Sequence, residues 1–188
     1  DAIRKSVNIA VIGVIEPGAK AAVAATKNKR VGVIGTAATI RSGSYTKAIQ
    51  SADRHIEVFP LPCPLFVPLV EEGWTEGPIV EMTAERYLGD VKKKEIDTLV
   101  LGCTHYPLLK KVLSKIMGPD VKLIDSAIET AVEIKKTLAG LSLLNQTSEN
   151  TAREFYVTDS PDKFLEIGER FIGRKIEFIK KIELEPEV

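Results

Sequence analysis

The segment Leu99-Val-Leu-Gly-Cys-Thr-His-Tyr-Pro-Leu-Leu109 constrains the fold of this chain more than any other. Residues 98–101 run without apolar/polar alternation, as a strand covered on both faces does. Such a strand belongs inside a sheet layered by helices. It stops at Gly102, and Pro107 suits the first helical position because its missing N–H would have been unpaired there anyway. Leu108, Leu109, Val112, Leu113 and Ile116 then recur at helical spacing, so the segment after Pro107 buries one face. Between strand and helix, a short turn presents Cys103, Thr104 and His105.

A thiol placed there points to chemistry. Ahead of a helix it feels the helix's partial positive charge, which lowers a thiol pKa by roughly one unit or more. His105 supplies a proton shuttle or a hydrogen bond. The competing reading is an inert cysteine buried in a sheet-end loop, the usual fate of an unpaired cysteine.

Strand-like and helix-like segments alternate along the rest of the chain. Strands are predicted over residues 9–15, 30–34, 56–61, 121–124, 155–158 and 176–182. Helices are predicted over 17–26, 39–51, 66–72, 78–92, 126–138 and 161–172. Ser126 with Glu129 reads as a capping box, and Gly140 as a carboxyl-terminal cap. The alternation predicts an α/β fold with a mostly parallel sheet sandwiched by helices. Ligands of such sheets sit beyond the carboxyl ends of the strands. Three predicted strand ends carry small or reactive polar residues: Gly35-Thr36, Gly102-Cys103 and Asp125-Ser126.

Composition narrows the function. Lys and Arg number 26 against 26 Asp and Glu, which argues against nucleic acid and anionic membranes as partners. Lys92-Lys93-Lys94 reads as a solvated helix end. Two cysteines, Cys63 and Cys103, make no disulfide framework and fit a reducing, cytoplasmic home. No stretch is long and apolar enough to span a bilayer. Residues 7–15 follow Arg4 and Lys5 much as a signal peptide would, but Asn8 interrupts them and no cleavage site follows, so a core strand is expected.

Other groups are weaker candidates. Gly32-Val-Ile-Gly-Thr-Ala-Ala-Thr39 follows a strand and opens a helix, so its backbone and the Thr36 and Thr39 hydroxyls could hold a carboxylate. It lacks the dinucleotide fingerprint and the phosphate-loop lysine, and a plain strand-to-helix turn is the alternative. Glu71 and Glu72 at a helix end are ordinarily solvated, though the apolar residues before Glu71 allow a partly buried carboxylate. Cys103, His105 and Cys63 lack the paired ligand spacing of a zinc site, so no metal is expected.

Four blocks together carry a family resemblance: Val11-Ile-Gly-Val-Ile-Glu-Pro-Gly-Ala19, Gly35-Thr-Ala-Ala-Thr39, Pro64-Leu-Phe-Val-Pro-Leu-Val-Glu71 and Gly102-Cys-Thr-His-Tyr-Pro-Leu-Leu109. In this order, over essentially the whole chain, they resemble bacterial glutamate racemase within the aspartate/glutamate racemase family. The resemblance implies cofactor-independent inversion at Cα by two cysteines on opposite faces of the substrate. Cys103 takes the role of the base on the L-glutamate side, His105 tunes or relays its proton, and Glu71 supports that side. Thr104, Thr36 and Thr39 help hold the substrate. The product implied is D-glutamate for peptidoglycan, and a homodimer is compatible with the resemblance.

The family's other cysteine motif, Cys-Asn-Thr-Ala, and its Asp-Ser-Gly motif do not occur here, and Cys63 in Pro-Cys-Pro does not match. The chain begins with Asp1 rather than methionine. An amino-terminally truncated racemase, inactive alone, is therefore expected. In that reading residues 16–124 form a complete second α/β domain, 1–15 are a remnant of the first, and 125–188 return to it. A racemase for aspartate or hydantoin-type substrates keeps the mechanism and changes the substrate, although His105 stands where aspartate racemases tend to carry glutamate. A non-catalytic amino-acid-binding module is the remaining alternative.

Overall fold

A computed structural model of the chain describes residues 2–147 and 152–184. The chain divides into two compact units, Asp1–Leu144 and Asn145–Val188. In the first, helix α1 (Ala2–Ser6) precedes α2 (Ile15–Ala25), β1 (Arg30–Gly35), α3 (Ala37–Ser42), α4 (Ser44–Ala52) and β2 (Glu57–Pro62). There follow α5 (Phe66–Glu71), α6 (Pro78–Lys92), β3 (Thr98–Leu101), a 3-10 turn (Tyr106–Leu109), α7 (Lys110–Met117), β4 (Lys122–Asp125) and α8 (Ser126–Gly140).

The four strands form a parallel sheet in the order β2-β1-β3-β4. Every residue of β3 is buried, as its unbroken run requires, and β1 beside it is buried from Val31 onward. Pro60 and Pro62 cannot donate to a ladder, and they lie in β2 at the edge of the sheet. Val31, Val33 and Val100 pack on Ala19 and Ala22 of α2 and on Tyr45 and Ile49 of α4. The small alanine face of α2 lets that helix lie close to the sheet. Phe66, Leu88, Leu99, Leu101, Leu109 and Leu113 are also sealed from solvent. Each such side chain stabilises the fold by roughly 1.5–3 kcal/mol.

Four local expectations need correction. Residues 9–15 form no strand; Ile15 already opens α2, and Ile9 and Val14 stand 76% and 52% exposed. An isolated apolar run with no strand alongside has nothing to satisfy its backbone. The helix expected over 39–51 is two helices, because Gly43 at φ 63° ends α3 and restarts the chain as α4. Asp125, not Ser126, caps α8: its carboxylate accepts from the N–H groups of Ala127 and Ile128 at 2.9 and 3.3 Å. Gly140 lies inside α8, and the left-handed residue beyond it is Ser142 at φ 58°. Helix α8, which follows the sequence-predicted boundary at 124, packs on α2 within the first unit.

The second unit pairs β5 (Phe155–Val157) with β6 (Ile179–Lys181) in parallel, and α9 (Pro161–Ile172) connects them. The last strand is shorter than residues 176–182 suggest. Ser160 caps α9 through the Lys163 N–H, and Gly173 ends it at φ 69°. Phe164 of α9 meets Phe155 with ring centroids 5.9 Å apart. Among the described residues, no helix is long and apolar enough to cross a membrane.

Candidate active site

Parallel pairing brings the carboxyl ends of β1, β3 and β4 to one edge of the sheet. Ile34 is level with Leu101, and Leu101 with Asp125. The Gly102 N–H donates to the Ile34 carbonyl at 2.8 Å, extending the ladder to the residue before the thiol. An alanine methyl at Gly102 would lie 2.9 Å from that carbonyl and 3.0 Å from the Tyr45 ring, so the close approach demands glycine.

Beyond Gly102 the turn is anchored from below. Tyr106 is fully buried, donates its hydroxyl to the Cys63 carbonyl at 2.8 Å and meets Phe66 edge to face at 5.3 Å. Pro107 falls within the 3-10 turn, and α7 starts only at Lys110. Cys103 therefore sits ahead of a tight turn, a full step before the α-helix.

This placement overturns the expected acidic thiol. Burial pushes the Cys103 thiol up, and the N–H groups of His105 and Tyr106, which pull it down, offset only part of that. Desolvation of the thiolate outweighs the local dipoles. Cys63 is wholly sealed, and burial alone pushes its thiol up to about 12. It is a core residue, and its Pro-Cys-Pro setting does not match the family's second cysteine motif.

The sequence-predicted residues 103, 104, 105 and 71 come together. His105 Nδ1 faces Cys103 Sγ at 3.9 Å and Thr104 Oγ1 at 3.3 Å, while its Nε2 lies 3.3 Å from Glu71 Oε1. In the tautomer whose Nε2–H donates to the Glu71 carboxylate, Nδ1 is the acceptor that faces the thiol. Glu71 and His105 expose 34% and 23% of their side chains, so Glu71 is the partly buried carboxylate that its apolar neighbours allow. Thr36 caps α3, its hydroxyl accepting from the Thr39 N–H and lying 3.0 Å from Thr39 Oγ1. Both threonines stand at the same sheet edge, one strand over.

Cys103 and Thr104 open onto a depression of about 80 Å³ shared with Val14, Tyr45, Pro107, Ser126 and Ala127. Among the described residues, Thr36 and Thr39 do not line it. Sequence reading missed Tyr45, whose hydroxyl lies 2.8 Å from Ser126 Oγ, and the Lys110–Asp125 ion pair at 2.5 Å beside it. Asp125 ahead of a helical run signals a cap; nothing in the sequence marks Tyr45. Among the described residues, no three His, Cys, Asp or Glu side chains cluster to hold a metal.

Fold and site together define a parallel α/β protein whose accessible thiol, backed by an imidazole and a carboxylate, is suited to moving protons. Residues 1–134 match the model of the Asp/Glu/Hydantoin racemase family. A glutamate racemase from Geobacter metallireducens is 48% identical over 187 residues, covering 100% of this chain and 69% of that protein. The crystal structure of glutamate racemase isoform RacE1 from Bacillus anthracis superposes with a TM-score of 0.91 at 39% identity, over 97% of this chain and 68% of that one. Glutamate racemase from Francisella tularensis, solved with D-glutamate, gives 0.86 at 40% identity, over 94% and 65%. The chain belongs to the Asp/Glu/Hydantoin racemase family and groups there with glutamate racemases. It spans roughly two thirds of the length of these three relatives.

Proposed function

We propose that this chain supplies the Cys103 side of a cofactor-independent glutamate racemase. The observation that carries this reading is the line from Cys103, which borders the sheet-edge depression, through His105 to Glu71. The Francisella relative, solved with D-glutamate, adds support for the substrate.

In the reaction, the Cys103 thiolate takes the α-proton of L-glutamate and becomes a thiol as the Cα–H bond breaks. A second thiol on the opposite face gives its proton to Cα, forming D-glutamate; the reverse reaction exchanges the roles. The α-proton is only weakly acidic, so a base of raised pKa suits the abstraction once it has been deprotonated. His105 Nδ1 takes the thiol proton, and Glu71 stabilises the resulting imidazolium. Thr104, and Thr36 with Thr39 on the neighbouring strand end, hold the substrate. Cys63, sealed in the core, does not serve as the second thiol.

The second thiol belongs to a companion lobe that faces Cys103. Apolar side chains on the segments of the first unit that flank 16–124 support such a lobe: Ile3, Ile9, Ile128 and Leu143 stand 53–76% exposed. In the cell, the reaction supplies D-glutamate for peptidoglycan from the cytoplasm.

The test incubates the full polypeptide that the gene encodes with L- or D-glutamate in deuterium oxide. Inversion with deuterium entering at Cα is expected, and Cys103→Ser abolishes it while circular dichroism stays unchanged. Retained turnover in that variant removes Cys103 from the mechanism. The 188-residue chain alone is expected to show no appreciable racemisation; ordinary enzymatic rates from it would overturn the two-thiol account. Faster inversion of aspartate or of a hydantoin would reassign the substrate.

A further inference from the structure

Beneath the Gly102-Cys103 turn lies a buried polar chain that the proton-transfer account does not use. Tyr45 of α4 is 4% exposed and Ser126 of α8 is 7% exposed. Ser126 Oγ donates to the Leu101 carbonyl at 3.3 Å, the last carbonyl of the strand that carries the thiol. With the serine proton used there, the Tyr45 hydroxyl donates to Ser126 Oγ at 2.8 Å. The tyrosine ring also lies against Gly102, and Gly18 of α2 makes room for the serine, since a methyl there would come within 2.7 Å of Ser126 Oγ. Gly18, Tyr45 and Ser126 from three helices thus converge with Gly102 on one strand end. Tyr45, Ser126 and Cys103 line the same depression.

Neither hydroxyl is hydrogen-bonded to the thiol. Each acts on it through the backbone of residues 101–103. We propose that Tyr45 and Ser126 are positioning residues that lock the strand end under Cys103, holding its sulfur half-buried and within reach of His105. The inference rests on Cys103 being the reacting group. A buried hydrogen-bonded pair does this better than apolar packing, because it has one satisfied arrangement and resists sliding.

Ser126→Ala leaves the Tyr45 O–H without its acceptor, Tyr45→Phe removes the donor to Ser126 Oγ, which keeps its bond to Leu101, and either change frees the turn to open toward water. Hydration stabilises the thiolate, so the thiol titrates lower. The other titratable groups beside Cys103 remain in place: His105 with Glu71 behind it on α5, and Tyr106 of the 3-10 turn.

The experiment measures the rate of iodoacetamide reaction at Cys103 against pH in the 188-residue chain, with peptide mass spectrometry separating Cys103 from the sealed Cys63. Tyr45→Phe and Ser126→Ala are each expected to lower the midpoint by roughly half a pH unit or more. Thr26→Val is the control, removing a 2.7 Å hydrogen bond to Asp97 at the opposite edge of the sheet. It is expected to lower the melting temperature while leaving the midpoint in place. An unchanged midpoint in both hydroxyl variants overturns the proposal, and so does an equal displacement in Thr26→Val, which would mean general loosening. Should Tyr45→Phe fail to fold, Ser126→Ala alone decides. Alkylation needs no turnover, so failure of the racemase reading would leave this result standing, and an unchanged midpoint would leave the racemase reading intact.

Discussion

His105 Nε2 lies 3.3 Å from Glu71 Oε1, tying the turn after β3 to the end of α5 across 34 residues of sequence. The pair is partly exposed, so its contribution to stability stays below about 1 kcal/mol. Its value is directional: it turns the opposite ring nitrogen toward the thiol. Glu71→Gln keeps the shape and removes the charge that, in the proposed reaction, supports an imidazolium. In the full polypeptide, turnover is expected to fall by roughly 10-fold or more with little change in KM. Steady-state kinetics and a melting curve, the latter nearly unmoved, check this.

The two cysteines should differ sharply in reactivity. Burial pushes both thiols up, but Cys63 reaches about 12 and is sealed, whereas Cys103 opens onto the depression. Iodoacetamide is therefore expected to give a single adduct on the folded chain, at Cys103, with a rate still rising above pH ~8.5, where an ordinary thiol is half ionised. A second adduct should appear only on addition of denaturant. Intact-protein mass spectrometry against pH reads both outcomes.

The parts of this architecture visible in the sequence are those that local chemistry decides alone. The run 98–101 and the helices 78–92 and 161–172 have the predicted bounds, because apolar spacing, Pro78, Pro161 and Gly173 mark them without outside help. Residues 9–15 look equally strand-like, but a strand also needs a neighbour, which sequence periodicity does not register. The grouping of Cys103, His105 and Glu71, which the structure links by successive contacts of 3.9 and 3.3 Å, is legible through motif and resemblance. The direction of the Cys103 shift is not, since it depends on how much water the folded turn excludes. Tyr45 and Ser126, 81 residues apart, meet only through the strand order.

At the opposite edge of the sheet, Asp97 accepts from Thr26 Oγ1, the N–H groups of Lys27 and Asn28, and Thr98 Oγ1 at 2.6–2.9 Å. Burial raises its carboxyl, and these hydrogen bonds outweigh burial, leaving it below the ordinary aspartate value. A depressed folded-state value means stability present above the unfolded pKa and lost as pH falls through the folded one. Asp97→Asn is expected to cost about 1–3 kcal/mol at neutral pH. The gap in melting temperature between the two proteins should narrow below pH ~4. Thermal melts of both between pH 7 and 3 test the sign.

Gly102→Ala separates the geometry of the thiol from its chemistry. The added methyl would sit 2.9 Å from the Ile34 carbonyl and 3.0 Å from Tyr45 Cε2. The carbonyl belongs to a central strand held on both sides, so it yields little, and the ring is packed in the core on Ser126. The turn must lift instead, which stretches the 2.8 Å Gly102–Ile34 hydrogen bond and carries Cys103 away from His105. A loss of about 1–3 kcal/mol in unfolding free energy is expected. Turnover in the full polypeptide should fall by about 100-fold, since displacing a reacting atom by about 1 Å can cost that much. Gly140→Ala, where an added methyl meets nothing within 4 Å, is the matched control and should leave turnover unchanged. Urea unfolding and kinetics on both variants would decide it: an active, stable Gly102→Ala protein would mean that the strand end under the thiol is not held as tightly as its contacts indicate.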